Sequence, residues 1–556
     1  MEKILDENYY DFLINNTIIG PGEVGNITPV NDRHSILHVQ MNDFNMCDLG
    51  LHPYHRFPSL LTLASQLSLD SSNISQIQSN PSLALLGAGV LIAIIDTGVD
   101  YTHPAFKNED NSSRIVSIWD QTIQDGTVPE GFTYGTEYDN QEINLAIRSV
   151  NPLSIVPSVD EIGHGTALAS VAAGSPSPDN SFTGVVPKSQ LLVVKLKQAK
   201  QNLRRVFCVP EGVVCYQETD VLLGVVYAYT TARRLNMPLI ICLGLGASLV
   251  SHEGGEATSS YLDFISQVSQ VNVAVCAGNE GNNNRHYYGN VISSPYTHEF
   301  ELKVSPRDPL FAFEIWPDIL ARLTIQVIAP TGEITPVIYP SISSCVYHQF
   351  VFSQTQMWLN NILIEEESGS QVILVRLVNA AEGIWRIRVS NIDEAAFSFH
   401  SWLPNGEFIS NETFFLLSSP DTTVTSPGNA EHVLTTTAYN QNNGSILIES
   451  GRGYTRLGIV KPDIAAPGYQ LPCAAPGGRY VTITGTGAAA AHAAGAAAMV
   501  FEWAIVRGNY PSLTGIDING LIIRGATRNP VYVYPNNIWG YGRMNVYALF
   551  ELLTFI

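Results

Sequence analysis

Four short apolar runs, each followed by a stretch of helical length, constrain this chain most. They are Val90–Ile95, Leu191–Leu196, Leu239–Leu243 and Val271–Ala277, with helical stretches at Thr166–Gly174, Asp220–Arg234 and Thr258–Val268. A run with almost no polar alternation needs cover on both faces, as strands of a parallel sheet have. Strand alternating with helix predicts right-handed βαβ units and an α/β fold built on a doubly wound parallel sheet. In such sheets chemistry gathers beyond the carboxyl ends of the strands.

The 556 residues are 45% hydrophobic and 14% charged, which excludes a disordered chain and suffices for more than one core. With 29 Lys and Arg against 50 Asp and Glu, the net charge of −21 disfavours nucleic acid and anionic membrane surfaces as partners. The amino terminus has no basic flank before an apolar core, so no signal peptide is expected. Val90–Ile95 and Ala488–Val500 are too short for membrane insertion. Seven scattered cysteines without CxxC spacing predict reduced thiols and cytoplasmic synthesis, not a disulfide framework or zinc site. Cys208 and Cys215 have the spacing to meet across a hairpin, but buried thiols are the preferred reading. No metal or cofactor is expected, since no D-x-D-x-D-G loop supports calcium.

Three textures divide the chain. Residues 1–85 hold apolar runs at Asp11–Ile14 and Ser35–Met41, an amphipathic helix predicted over Ser59–Leu69, and a polar linker over Asp70–Pro81. Residues 86–296 and 426–556 carry the α/β texture and an Ala-rich helix at 488–505. Between them, residues 297–425 alternate in short runs such as Leu323–Ile328 and Trp385–Val389, which predicts an inserted β-sandwich or jelly roll.

Four segments carry candidate chemistry. Asp96 ends a buried strand in Asp96-Thr97-Gly98, where it can also be a helix cap or metal ligand. His164 lies between Gly163 and Gly165 at the start of a small-residue helix, a setting that suits a packed core histidine as well as a cleft-facing one. Asn279, in Ala277-Gly278-Asn279, is either a turn former or an amide aimed at a developing oxyanion. Gly485-Thr486-Gly487 opens the Ala-rich helix, whose first N–H groups suit a nucleophile or oxyanion.

In this order the segments resemble the subtilisin-like serine proteases. Asp100–Phe106, Arg114–Asp120, Lys461–Gly468 and Gly540–Val546 sharpen the resemblance toward the Csp subtilases of clostridial spore germination. The resemblance implies a subtilisin-like fold with an amino-terminal α+β prodomain at 1–85 and a jelly-roll insert. It implies that Asp96 orients the imidazole, that His164 is the general base and that Asn279 donates to the oxyanion. The serine nucleophile of the family would stand at 487, and this chain has Gly487. Without an Oγ no acyl-enzyme forms there, and loss of the nucleophile costs a subtilisin ~10⁶ in turnover. Thr486 is expected to point elsewhere, and Gly244 stands where the family typically has Ser.

The resemblance therefore implies a catalytically silent homologue whose prodomain stays attached, with its last strand in the cleft. It would be spore-associated, acting on a sister Csp protease or a cortex-lytic proenzyme, with a small-molecule germinant such as a bile acid as its signal. The alternatives are an active endopeptidase that cleaves the proenzyme, and a purely structural spore protein.

Overall fold

The computed structural model describes residues 2–18, 26–41, 43–68, 85–177, 179 and 182–554. The expected linker Asp70–Pro81 lies outside them. The four apolar runs form adjacent strands, Gln190–Lys195, Leu91–Asp96, Leu239–Leu243 and Val271–Cys276, all parallel. Leu434–Tyr439 and Ile464–Pro467 extend one edge in parallel. Ile115–Asp120 extends the other in parallel, and Thr136–Asp139 closes it antiparallel. The result is an eight-stranded sheet.

Its two faces show why the runs are apolar throughout. Ile92 and Ile94 join the core beneath helix α1 (His164–Ala173) and helix α2 (Thr486–Phe501). Leu91, Ala93 and Ile95 join the opposite core, with Val221, Val225 and Ala228 of the helix Glu218–Leu235. Full burial of each Val, Leu or Ile among these contributes about 1.5–3 kcal/mol. The alanines of α2 let it lie close on both the sheet and α1.

Helix α2 runs further than its charge-free stretch implied. Continued by the π-helical turn Glu502–Val506, it reaches 21 residues with mean hydropathy 1.4, long and apolar enough to cross a bilayer. Most of it is buried, as befits the central helix of a core. The expected shortness rested on stopping at Val500, before Glu502 carries the helix on while still buried.

Two antiparallel sheets, of six and four strands, occupy residues 286–415. The unit begins at His286–Val291, which pairs with Phe397–Trp402, earlier than its texture implied. Strand Gly383–Asn391 alternates buried and open positions, and Trp385, Ile387 and Val389 point into the core between the sheets.

The amino-terminal residues pair Tyr9–Asn15 with His34–Gln40 and place Tyr10 and Phe12 in one buried core with Leu203, Trp316 and Trp402. Two expectations for this region are overturned. Of the stretch Ser59–Leu69, the described residues 59–68 are not a helix but contain two strands, Leu60–Leu63 and Gln66–Ser68. Leu60–Leu63 pairs antiparallel with Tyr216–Gln217 and Leu245–Gly246, and Gln66–Ser68 pairs with Arg479–Thr484. Open partner strands outweigh an isolated helix of this length, which is marginal in water. The thiols are not all reduced either: Cys47 and Cys345 form a disulfide across 298 residues. It ties the amino-terminal region to the two-sheet unit, a pairing that local spacing does not reveal. Cys208 and Cys215 are both free and buried.

Candidate active-site cleft

Asp96 and His164 meet because the strand ending at Asp96 feeds a turn that packs on the start of α1. The His164 Nδ1–H donates to Asp96 Oδ1 at 2.8 Å, and both side chains are buried. The Asp96 carboxylate is held by the Thr97 N–H at 2.8 Å, while Thr97 Oγ1 accepts from Gly165 N–H at 2.9 Å. Both glycines beside His164 are required. Gly163 has φ 88°, and a Cβ on Gly165 would lie 2.2 Å from the Gly98 carbonyl oxygen.

Asp160, not singled out from the sequence, caps α1. It accepts from the Gly163 and Thr166 N–H groups at 2.7 and 2.9 Å and from the Thr166 hydroxyl at 2.6 Å. Burial pushes its carboxyl above the usual range, against those hydrogen bonds. A carboxylate four residues before a histidine is the signal that could have found it.

Asn279 follows the strand Val271–Cys276, and Gly278 turns it into the cleft with φ 83°. Its Oδ1 accepts from Thr486 N–H and Thr486 Oγ1–H, both at 3.1 Å. Thr486 is thus directed onto Asn279, away from the role of nucleophile. The Asn279 Nδ2 donates to the Ala64 carbonyl oxygen at 2.6 Å, and Gly487 N–H donates to the same oxygen at 3.1 Å. Two donors converging on one carbonyl oxygen make an oxyanion cradle, and the Ala64–Ser65 peptide lies in it. Strand register places it there: Ala64 N–H donates to Gly244 O at 2.9 Å, next to the Leu63–Leu245 pair.

The four expected residues thus lie in one cleft, and positions 244 and 487 are both glycine. A Cβ on Gly244 would lie 3.6 Å from Asp96 Oδ2, 3.1 Å from His164 Cε1 and 2.4 Å from Leu168 Cδ1. A Cβ on Gly487 would lie 2.5 Å from Ser65 Oγ and 3.5 Å from the Ala64 carbonyl carbon. Among the described residues, Asp96 Oδ2 and His164 Nε2 have no hydrogen-bond partner.

Beside Ala64 the cleft widens into a cavity of about 820 Å³, lined among others by Gly246, Asn279, Asn283, Arg307 and Asn411. Among the described residues, no group of three or more His, Cys, Asp or Glu side chains is placed to hold a metal ion.

Known proteins share this architecture. The Subtilase family model matches residues 87–319 and 410–542, leaving out the heart of the two-sheet unit. C5a peptidase of Streptococcus pyogenes serotype M1 is 22% identical over 466 residues, covering 77% of this chain but 35% of its own length. Subtilisin-like protease SBT3 of Solanum lycopersicum is 25% identical over 467 residues, covering 76% of this chain and 56% of its own. The chain therefore spans about a third to a half of these relatives. The structure of the Clostridium perfringens CspB protease superposes with a TM-score of 0.75 at 29% identity, covering 87% of this chain and 98% of that one. With a family match over well over half its length and a subtilisin-like α/β sheet, the chain belongs to the Subtilase family.

Proposed function

We propose that this subtilase is catalytically silent and works as a regulator or germinant sensor in spore germination, a pseudoprotease of the CspC-like kind. The observation that carries the reading is Gly487. The residue beside the donors that hold the Ala64 carbonyl oxygen has no side chain and so no hydroxyl to attack with. On this reading residues 1–85 are a retained prodomain, and the unit at 286–415 is the jelly-roll insert. The similarity to the CspB protease supports kinship with the Csp subtilases, on which the assignment to germination rests.

The partner is then a sister Csp protease or a cortex-lytic proenzyme, in the spore cortex or coat. The signal is a small molecule such as a bile acid. A cleft filled by a tethered segment meets a high effective concentration of its own occupant, so a substrate in trans competes poorly.

The reading is tested by incubating the full chain with the cortex-lytic proenzyme and with a fluorophosphonate probe. No cleavage and no labelled adduct are expected. Efficient proenzyme cleavage would instead establish the second reading, an active endopeptidase, which the close Asp96–His164 pair favours.

A further inference from the structure

Helix α2 begins without a side-chain cap of its own. Its N-cap residue is Gly485, with φ 135°, so its first N–H groups need partners from elsewhere. Thr486 N–H is taken by Asn279 Oδ1 at 3.1 Å, and Ala489 N–H by Gly485 O at 3.3 Å. The two between them are taken by the amino-terminal segment: Gly487 N–H by Ala64 O at 3.1 Å, and Ala488 N–H by Ser65 Oγ at 3.0 Å. Ser65 stands 423 residues before Ala488, yet its hydroxyl does what an N-cap serine does at the start of a helix.

That hydroxyl fits only because residue 487 is glycine. A Cβ there would lie 2.5 Å from Ser65 Oγ, closer than Cβ atoms come to any neighbour, so a side chain at 487 must displace it. We infer that Ser65 and Gly487 are a matched pair: the Ser65 hydroxyl caps helix α2 in the space that a side chain at 487 would occupy, making the segment a structural part of the cleft. Gly487 then has a second consequence beyond the missing nucleophile, for it lets the tethered segment complete the central helix. Ser65 is a positioning residue in this arrangement, holding Ala64 in the cradle through Ala488.

The inference rests on the reading of Leu60–Ser68 as a retained segment, but its test does not depend on proteolysis. Hydrogen exchange is followed in the full chain at the start of α2 and along 60–68 for Ser65→Ala, Gly487→Ala and the double variant. Loss of a helix cap predicts exchange about fivefold faster at the Ala488 amide in each single variant. Because both substitutions remove the same hydrogen bond, the double variant exchanges no faster than the more affected single one, and Ser65→Thr retains protection. Unchanged exchange in the singles, or effects that multiply in the double, overturns the inference. Should Gly487→Ala fail to fold, Ser65→Ala against Ser65→Thr decides, since equal protection in those two also overturns it. Proenzyme cleavage by the unaltered chain would defeat the proposed function while leaving this comparison intact.

Discussion

The side-chain amide of Asn279 donates to the carbonyl oxygen of Ala64 at 2.6 Å, across 215 residues. An amide suited to an oxyanion thereby holds a peptide of the same chain. Asn279→Ala would strip one donor from that oxygen and leave Thr486 without its acceptor. The expected loss is about 1–3 kcal/mol, read as a lower urea midpoint, with faster proteolysis within 60–68. An unchanged midpoint and cleavage rate would mean that the contact contributes nothing to holding the segment.

Gly244 is packed too tightly to take a side chain without cost. A Cβ there would meet Leu168 Cδ1 at 2.4 Å, so Gly244→Ser is expected to destabilise by about 1–3 kcal/mol. Leu168→Val removes the colliding methyl group. The double variant should be more stable than the sum of the two single losses, as a cycle of urea denaturations would reveal.

Three histidines and a tryptophan stack where the two-sheet unit meets the α/β domain. His252 lies 4.0 Å from Trp402 between ring centroids, and His286 Nε2 is hydrogen-bonded to His400 Nδ1 at 2.9 Å. Burial lowers His252 to about 4 and His400 to about 3, and pushes His286 down as well. Unfolded imidazoles protonate near 6.5, so below that value the unfolded chain binds more protons and folding stability falls with pH. Burial raises Glu314 to about 7, which acts oppositely by costing stability as pH rises from 4.5 toward 7. His400→Phe should therefore lose less stability between pH 6.5 and pH 4 than the unaltered protein, measured by denaturant titration at each pH. Parallel curves would refute a buried neutral imidazole at 400.

Denatured without reductant, the chain should show five reactive thiols among its seven cysteines. Closing so long a loop stabilises by about 2–4 kcal/mol, so Cys345→Ser is expected to lower the thermal midpoint and expose a sixth thiol. Seven reactive thiols from the unaltered chain would contradict the Cys47–Cys345 bridge.

Legibility from sequence followed the range of the interaction that decides each element. The strand Leu91–Asp96 was readable because both its faces are buried, leaving an unbroken apolar run. The β unit was readable from alternation, except at His286–Val291, whose pairing with Phe397–Trp402 spans more than a hundred residues. Asp96, His164, Asn279 and the glycine at 487 could be singled out because each sits at a strand end or helix start marked by nearby glycines. Ser65 escaped, having no such mark, since what it does depends on what folds against it; Asp160 escaped although Gly163 stands three residues on and its partners are local.

By itself the sequence determined the parallel sheet, the order of the cleft residues and the absence of a hydroxyl at 487, since these follow from side-chain identity and local periodicity. Only the tertiary structure decided that Leu60–Ser68 is extended rather than helical, that Cys47 joins Cys345, and that Ser65 caps a helix hundreds of residues away. Unpaired strand edges and free helix N–H groups accept whichever distant segment reaches them, and no local pattern records that choice.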